Sequence, residues 1–256
     1  MLIDLHAKSD LSKGVSVTAS QVLSKASEAG LQGVAFCDTL TTSRCRSILE
    51  TAEDYPDLSV FIGVEIPTDR GILLGFVPEV DSFYLAEEWR WLAYKTTPSA
   101  QAVMELFESK NGVVIAARPY DLSIPFNMGD HIFTFDRLGA VEAFSPRVGA
   151  LQNNFALEAA TFMGLGTVGG SDPSTDVSAV GDFATFFEDD ITTQRQLVDA
   201  LRESEFWAVH LGDKSQRKTS RKSSRRKSSS KGGRGRRRSS KGGGRRRNRS
   251  RGRRRD

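Results

Sequence analysis

Seven polar side chains, Asp4, His6, Asp38, Glu65, Arg118, Glu142 and Asp172, each fall at or just past the C-terminal end of a short apolar segment with strand character. Carboxylates, an imidazole and a guanidinium at that place are the groups from which α/β proteins assemble sites, because the loops leaving the strands gather at one end of the sheet. Alternation adds Lys8: in an extended strand Asp4, His6 and Lys8 share one side, as do Val114, Ala116 and Arg118 in another. One pocket is expected to collect them. A second chemistry occupies residues 214–256, which hold 22 Lys or Arg, one acidic residue and no apolar side chain. Arg225, Arg226, Lys227, Arg236, Arg237, Arg238, Arg245, Arg246, Arg247, Arg253, Arg254 and Arg255 form its densest runs. Such a segment neutralises phosphates. It has no aromatic ring on which a base could stack, so it is expected to bind RNA or DNA with little sequence preference and to release it in salt.

The formal net charge of +4 hides two opposite parts. Residues 214–256 carry +21, and Met1–Asp213 carry 14 basic against 31 acidic residues, or −17. The basic segment buries nothing that could offset the entropy of ordering it, so it is read as a disordered arm on a folded body of 213 residues, long enough for one core. It lacks an apolar face for a membrane, and the chain has no run of about 18 apolar residues. Serines beside arginine, such as Ser220, Ser224 and Ser250, are places where phosphorylation would lower its charge. The start, MLIDLH, is expected not to act as a secretory signal, and two cysteines, Cys37 and Cys45, fit a reducing compartment. The expectation is a cytoplasmic protein, with nucleoid or ribonucleoprotein association open.

Periodicity says what positions the polar residues. Strands are expected at Leu2–His6, Gly33–Asp38, Val60–Glu65, Ile72–Phe76, Val113–Ala117, Ala140–Phe144, Gly166–Gly169, Phe183–Phe187 and Phe206–His210. Helices are expected at Thr18–Ala29, where Thr18 and Gln21 have capping-box spacing, and at Arg44–Asp54, from Pro98 to Ser109, Asn153–Met163 and Thr193–Ser204. The stretch around Trp89 and Trp91 reads as irregular. Repeated strand and helix argue for a parallel α/β sheet, open or closed into a barrel.

These segments resemble, in order, those of the PHP family of metal-dependent phosphoesterases, named for polymerase and histidinol phosphatase. The resemblance rests on IDLHAKSD at 3–10, GLQGVAFCDT at 30–39, GVEI at 63–66, ILLGF at 72–76, VVIAARPY at 113–120, VEAF at 141–144 and GSDPS at 170–174. It implies a distorted (β/α)7 barrel over residues 1–213. The family pattern has an H-x-H pair where this chain has His6 and Lys8, a D-H pair at Asp38 and Thr39, a Glu at Glu65, and histidines at Ile72, Arg118 and Ser174. Asp172 and Asp10 are retained, and neither His131 nor His210 matches a motif.

A metal-dependent phosphoesterase needs imidazoles and carboxylates around its ions, one of which acidifies a bound water. With five imidazole positions changed, and Lys8 and Arg118 adding fixed positive charge, the expectation is a metal-free, internally paired pocket of His6, Lys8, Asp10, Asp38, Glu65, Arg118 and Asp172. No cofactor is expected. The function implied is a non-catalytic PHP-like domain tethered to nucleic acid by its basic arm, in an accessory or scaffolding role with a protein partner open. The alternative is a phosphoesterase or nuclease holding Mn, Zn or Fe on His6, Asp10, Asp38, Glu65 and Asp172.

Overall fold

The computed structural model describes residues 1–40, 45–95, 97–203 and 206–212. The basic segment, with all its arginine runs, lies outside the described residues, as do Arg44 and Ser204 at the edges of two expected helices. Met1–Asp213 forms one compact unit.

Each strand read from the sequence is present: β1 (Leu2–Ala7), β2 (Gly33–Thr39), β3 (Ser59–Thr68), β4 (Gly71–Phe76), β5 (Val113–Ala117), β6 (Ala140–Phe144), β7 (Gly166–Gly169), β8 (Phe183–Phe187) and β9 (Phe206–His210). They form one sheet in the order β7-β6-β5-β4-β3-β2-β1-β8-β9. The sheet curls until its edges meet: Ala208 N–H of β9 donates to Thr167 Oγ1 of β7 at 3.1 Å. A Cβ on Gly166 would lie 2.6 Å from the Phe206 ring. The result is a nearly closed nine-stranded α/β barrel, with two strands more than the seven the resemblance implied.

The expectation of a parallel sheet needs correction. β1, β2 and β3 run parallel, as do β5, β6 and β7, but β4 is antiparallel to both its neighbours and β8 to both of its own. The turn Asp69–Arg70, closed by Gly71 at φ 88°, reverses the chain directly from β3 into β4, leaving no room for a crossover helix.

Two apolar faces hold the sheet. Ile3, Leu5, Ala35, Cys37, Phe61, Leu74, Ile115 and Ala140 fill the interior with Leu197, Val198 and Leu201 of α7 (Gln194–Glu203). Val34, Phe36, Val64, Leu73, Val114, Ala116 and Val141 pack on the other face against α1 (Ala19–Ala29), α2 (Cys45–Ala52), α4 (Glu87–Tyr94), α5 (Ala100–Ser109) and α6 (Ala150–Met163). The Thr18 capping box forms, and Gly30 at φ 79° ends α1. The stretch around the tryptophans is helical, as α3 (Val80–Leu85) and α4 with a break at the extended Ala86 between them. Helix α5 starts at Ala100, whose N–H donates to Asp69 Oδ1 at 2.8 Å. Among the described residues no helix is long and apolar enough to cross a membrane.

Candidate functional site

Polar side chains meet inside the C-terminal end of the barrel because three strand ends depart from ideal geometry. The pairing of β1 with β2 shifts register between Asp4 and Ala7, so alternation fails there. Asp4 turns to Ser171, accepting from its backbone N–H at 3.0 Å and from its hydroxyl. His6 and Lys8 reach Glu65 on β3 instead. Arg118, one residue past β5, has φ 44°. Val114 and Ala116 pack towards the helices, and the left-handed turn takes Arg118 out of their row to Glu65 and Asp172. Asp172 has φ 38° and donates its N–H to His6 O at 2.6 Å. The expected sharing of one side by Asp4, His6 and Lys8, and by Val114, Ala116 and Arg118, is therefore wrong, although three of those side chains do converge.

The cluster is buried and ion-paired. His6 Nδ1 lies 2.9 Å from Glu142 Oε1 and His6 Nε2 3.1 Å from Glu65 Oε2. Lys8 Nζ sits between two carboxylates, 2.9 Å from Glu65 Oε2 and 3.0 Å from Asp172 Oδ1. The Arg118 guanidinium contacts Asp172 and lies 3.6 Å from Glu65 Oε2 and 3.5 Å from Asp121 Oδ2. Arg118 Nε and Nη1 have ion-pair contacts without hydrogen-bond alignment, and Glu142 Oε2 has no hydrogen-bond partner among the described residues. Arg147 covers the group from outside, Nε donating to Asp172 O at 3.0 Å. A Cβ on Gly170 would stand 2.4 Å from His6 Cβ and 2.6 Å from His6 N, so only glycine lets this turn approach β1 so closely.

Burial and charge oppose each other in setting protonation. Burial alone would lower the His6 pKa, but the Glu142 charge and hydrogen bonds with Glu142 and Glu65 outweigh it and raise it. Burial alone would raise Glu65, but the hydrogen bond with His6 and the charges of Lys8, His6 and Arg118 hold its carboxyl well below the usual range. Asp4 and Asp38 are raised by burial, against the hydrogen bonds they accept.

Of the residues singled out in the sequence, His6, Lys8, Glu65, Arg118 and Asp172 come together; Asp38 and Asp10 do not join them. Asp38 accepts from Ser9 N–H at 2.8 Å, Ser9 Oγ at 2.8 Å and Ser12 Oγ at 2.6 Å, which pins the loop after β1 to β2. Asp10 is exposed. Asp10 falls away because the chain leaves β1 in a turn at 10–11, whereas Asp38 stays buried in β2 with its carboxylate taken by Ser9 and Ser12. Glu142, expected from its strand-end position to join the pocket, does so through His6; Asp121 and Arg147 were missed, because their loop positions carry no periodic signal. His6, Glu65 and Asp172 each offer an atom within 4.8 Å of the others, the spacing of a small metal site, yet the same carboxylate oxygens meet Lys8 and Arg118.

No curated protein matches the sequence. Residues 150–206 match the family model described as PHP_C, PHP-associated. Among solved structures, one proposed as a metal-dependent phosphoesterase from Bifidobacterium adolescentis is 17% identical with a TM-score of 0.57, covering 79% of this chain and 94% of that one. An amidohydrolase from Chromobacterium violaceum, with bound sulfate and no metal, is 14% identical with a TM-score of 0.60, covering 82% and 98%. A two-domain protein from Bacteroides vulgatus with a predicted PHP-like metal-dependent phosphoesterase is 14% identical with a TM-score of 0.56, covering 82% of this chain and 64% of that one. This chain is thus similar over residues 150–206 to the PHP-associated family model, and similar in fold to these solved structures.

Proposed function

We propose that the chain is a non-catalytic, metal-free PHP-like domain that binds phosphate-bearing polyanions, RNA or DNA, chiefly through its basic segment. One observation carries this reading: Lys8 Nζ stands 2.9 and 3.0 Å from Glu65 and Asp172, with Arg118 on the same two carboxylates. A divalent ion on His6, Glu65 and Asp172 would sit against a buried ammonium and guanidinium, and three donors are too few for a multinuclear centre. The residues present do not fit the family's metal cluster. Arg147, whose side chain is 40% exposed beside Arg118, offers the mouth a phosphate contact.

The second reading, a phosphoesterase with a single ion, is favoured by the 4.8 Å spacing of His6, Glu65 and Asp172. Metal analysis of the full chain grown with Mn, Zn and Fe, beside hydrolysis of a chromogenic phosphodiester, separates the two. Substoichiometric metal and no hydrolysis support the pseudoenzyme. Stoichiometric metal with hydrolysis abolished by Glu65→Ala overturns it.

A further inference from the structure

Helix α6 is apolar on both sides. Ala156, Ala159 and Ala160 pack on the sheet, whereas Leu151, Phe155 and Phe162 face outward at 60%, 43% and 82% exposure. A helix that keeps large apolar side chains on its outer face is built to be covered. Phe155 and Phe162 line a groove of about 620 Å³ with Tyr120 and Phe133. Their rings are held in pairs, Tyr120 with Phe155 at 5.6 Å and Phe133 with Phe162 at 5.3 Å between centroids. Two carboxylates, Asp130 and Glu158, complete the lining, and neither has an ion-pair partner among the described residues. Asp130 Oδ1 accepts from the Tyr120 hydroxyl at 3.4 Å. Burial raises the Tyr120 pKa, and the charges of Asp130 and Glu158 add to the shift, so both carboxylates direct negative potential into the groove.

Four aromatic faces with two unpaired carboxylates make the chemistry of a cation receptor. Aromatic rings attract a cation through their quadrupole, and they favour guanidinium because it is planar and weakly hydrated. A carboxylate can then take its N–H groups in a forked contact. We propose that this groove, between the 3₁₀ turn Gly129–Thr134 and α6, binds the arginine side chain of a basic peptide segment. The groove is separate from the ion-paired pocket and does not depend on the function proposed for it. It opens close by, since Tyr120 lies two residues beyond Arg118.

The test is a titration of blocked Gly-Arg-Gly, followed by saturation-transfer NMR and calorimetry, on the full chain and on residues 1–213, which form a compact unit ending after β9. The control peptide carries citrulline, which keeps the shape and removes the charge. Arginine is expected to bind at least about tenfold more tightly than citrulline. Glu158→Gln combined with Asp130→Asn should reduce that preference several-fold, leaving the part due to the rings, and Phe162→Ala, at an exposed position, should weaken arginine binding further. Equal binding of the two peptides, or no binding to residues 1–213, overturns the proposal. So does an arginine preference unchanged in the double carboxylate variant.

Discussion

The charges of Lys8 and Arg118 sit on the carboxylates Glu65 and Asp172. Removing one partner of a buried ion pair strands the other, which typically costs about 3–5 kcal/mol. Lys8→Met is expected to lower unfolding free energy by that order in urea titration, and adding Glu65→Gln should recover part of the loss. Lys8→His with Arg118→His restores two imidazoles beside His6 and removes both cations; calorimetry with Zn²⁺ should then detect binding stronger than in the parent chain. The pH dependence follows from the same residues. His6 has a folded pKa above its ordinary 6.5, so the stability it contributes is full below about that pH and is lost as pH rises through the folded value. Glu65 has a folded pKa below its ordinary 4.5, so its contribution is present above about pH 4.5 and is lost as pH falls. Asp4 and Asp38, raised by burial, act in the opposite sense and make the acid limb shallower. Denaturation midpoints are expected to decline above neutrality, and His6→Gln should flatten that decline.

At the level of elements, the site depends on three local irregularities: the register shift in β1, the left-handed turn at Arg118 after β5, and the left-handed turn at Asp172 after β7. Gly170 lets the last of these press against β1. Gly170→Ala puts a methyl carbon 2.4 Å from His6 Cβ and 2.6 Å from a backbone nitrogen that cannot swing away. A loss of about 1–3 kcal/mol in thermal or urea unfolding is expected, with displacement of the His6 ring visible in its NMR titration. The strands themselves were legible as short apolar runs, and so were the capping box at Thr18 and Gln21 and the polar residues at strand ends. Which side each polar residue faces was not legible. Period-two reasoning assumes an unbroken strand, and a shift of one residue or a single positive φ reverses its answer, as Asp4 and Arg118 show. Asp10 and Asp38 stay out of the ion-paired cluster for a different reason: a motif gives order along the chain, while Ser9 and Ser12 decide what Asp38 holds.

For the molecule as a whole, charge is divided between a body of −17 and a segment of +21. Phosphate neutralisation by that segment predicts that nucleic-acid affinity falls linearly on a log-log salt plot, with a slope of about 0.9 for each phosphate contacted on duplex DNA. Fluorescence anisotropy with unrelated duplexes should give similar affinities, and deletion of residues 214–256 should remove most of the binding and most of the slope. The sequence by itself determined the charge division and the strands, because composition and short-range periodicity are local properties of the chain. Tertiary structure alone decided that β4 and β8 run antiparallel to their neighbours, that Lys8 and Arg118 reach the same two carboxylates, and that Tyr120 and Phe155 meet across a groove. Those facts depend on register, backbone handedness at single residues and contacts between residues far apart in sequence, none of which a local pattern encodes.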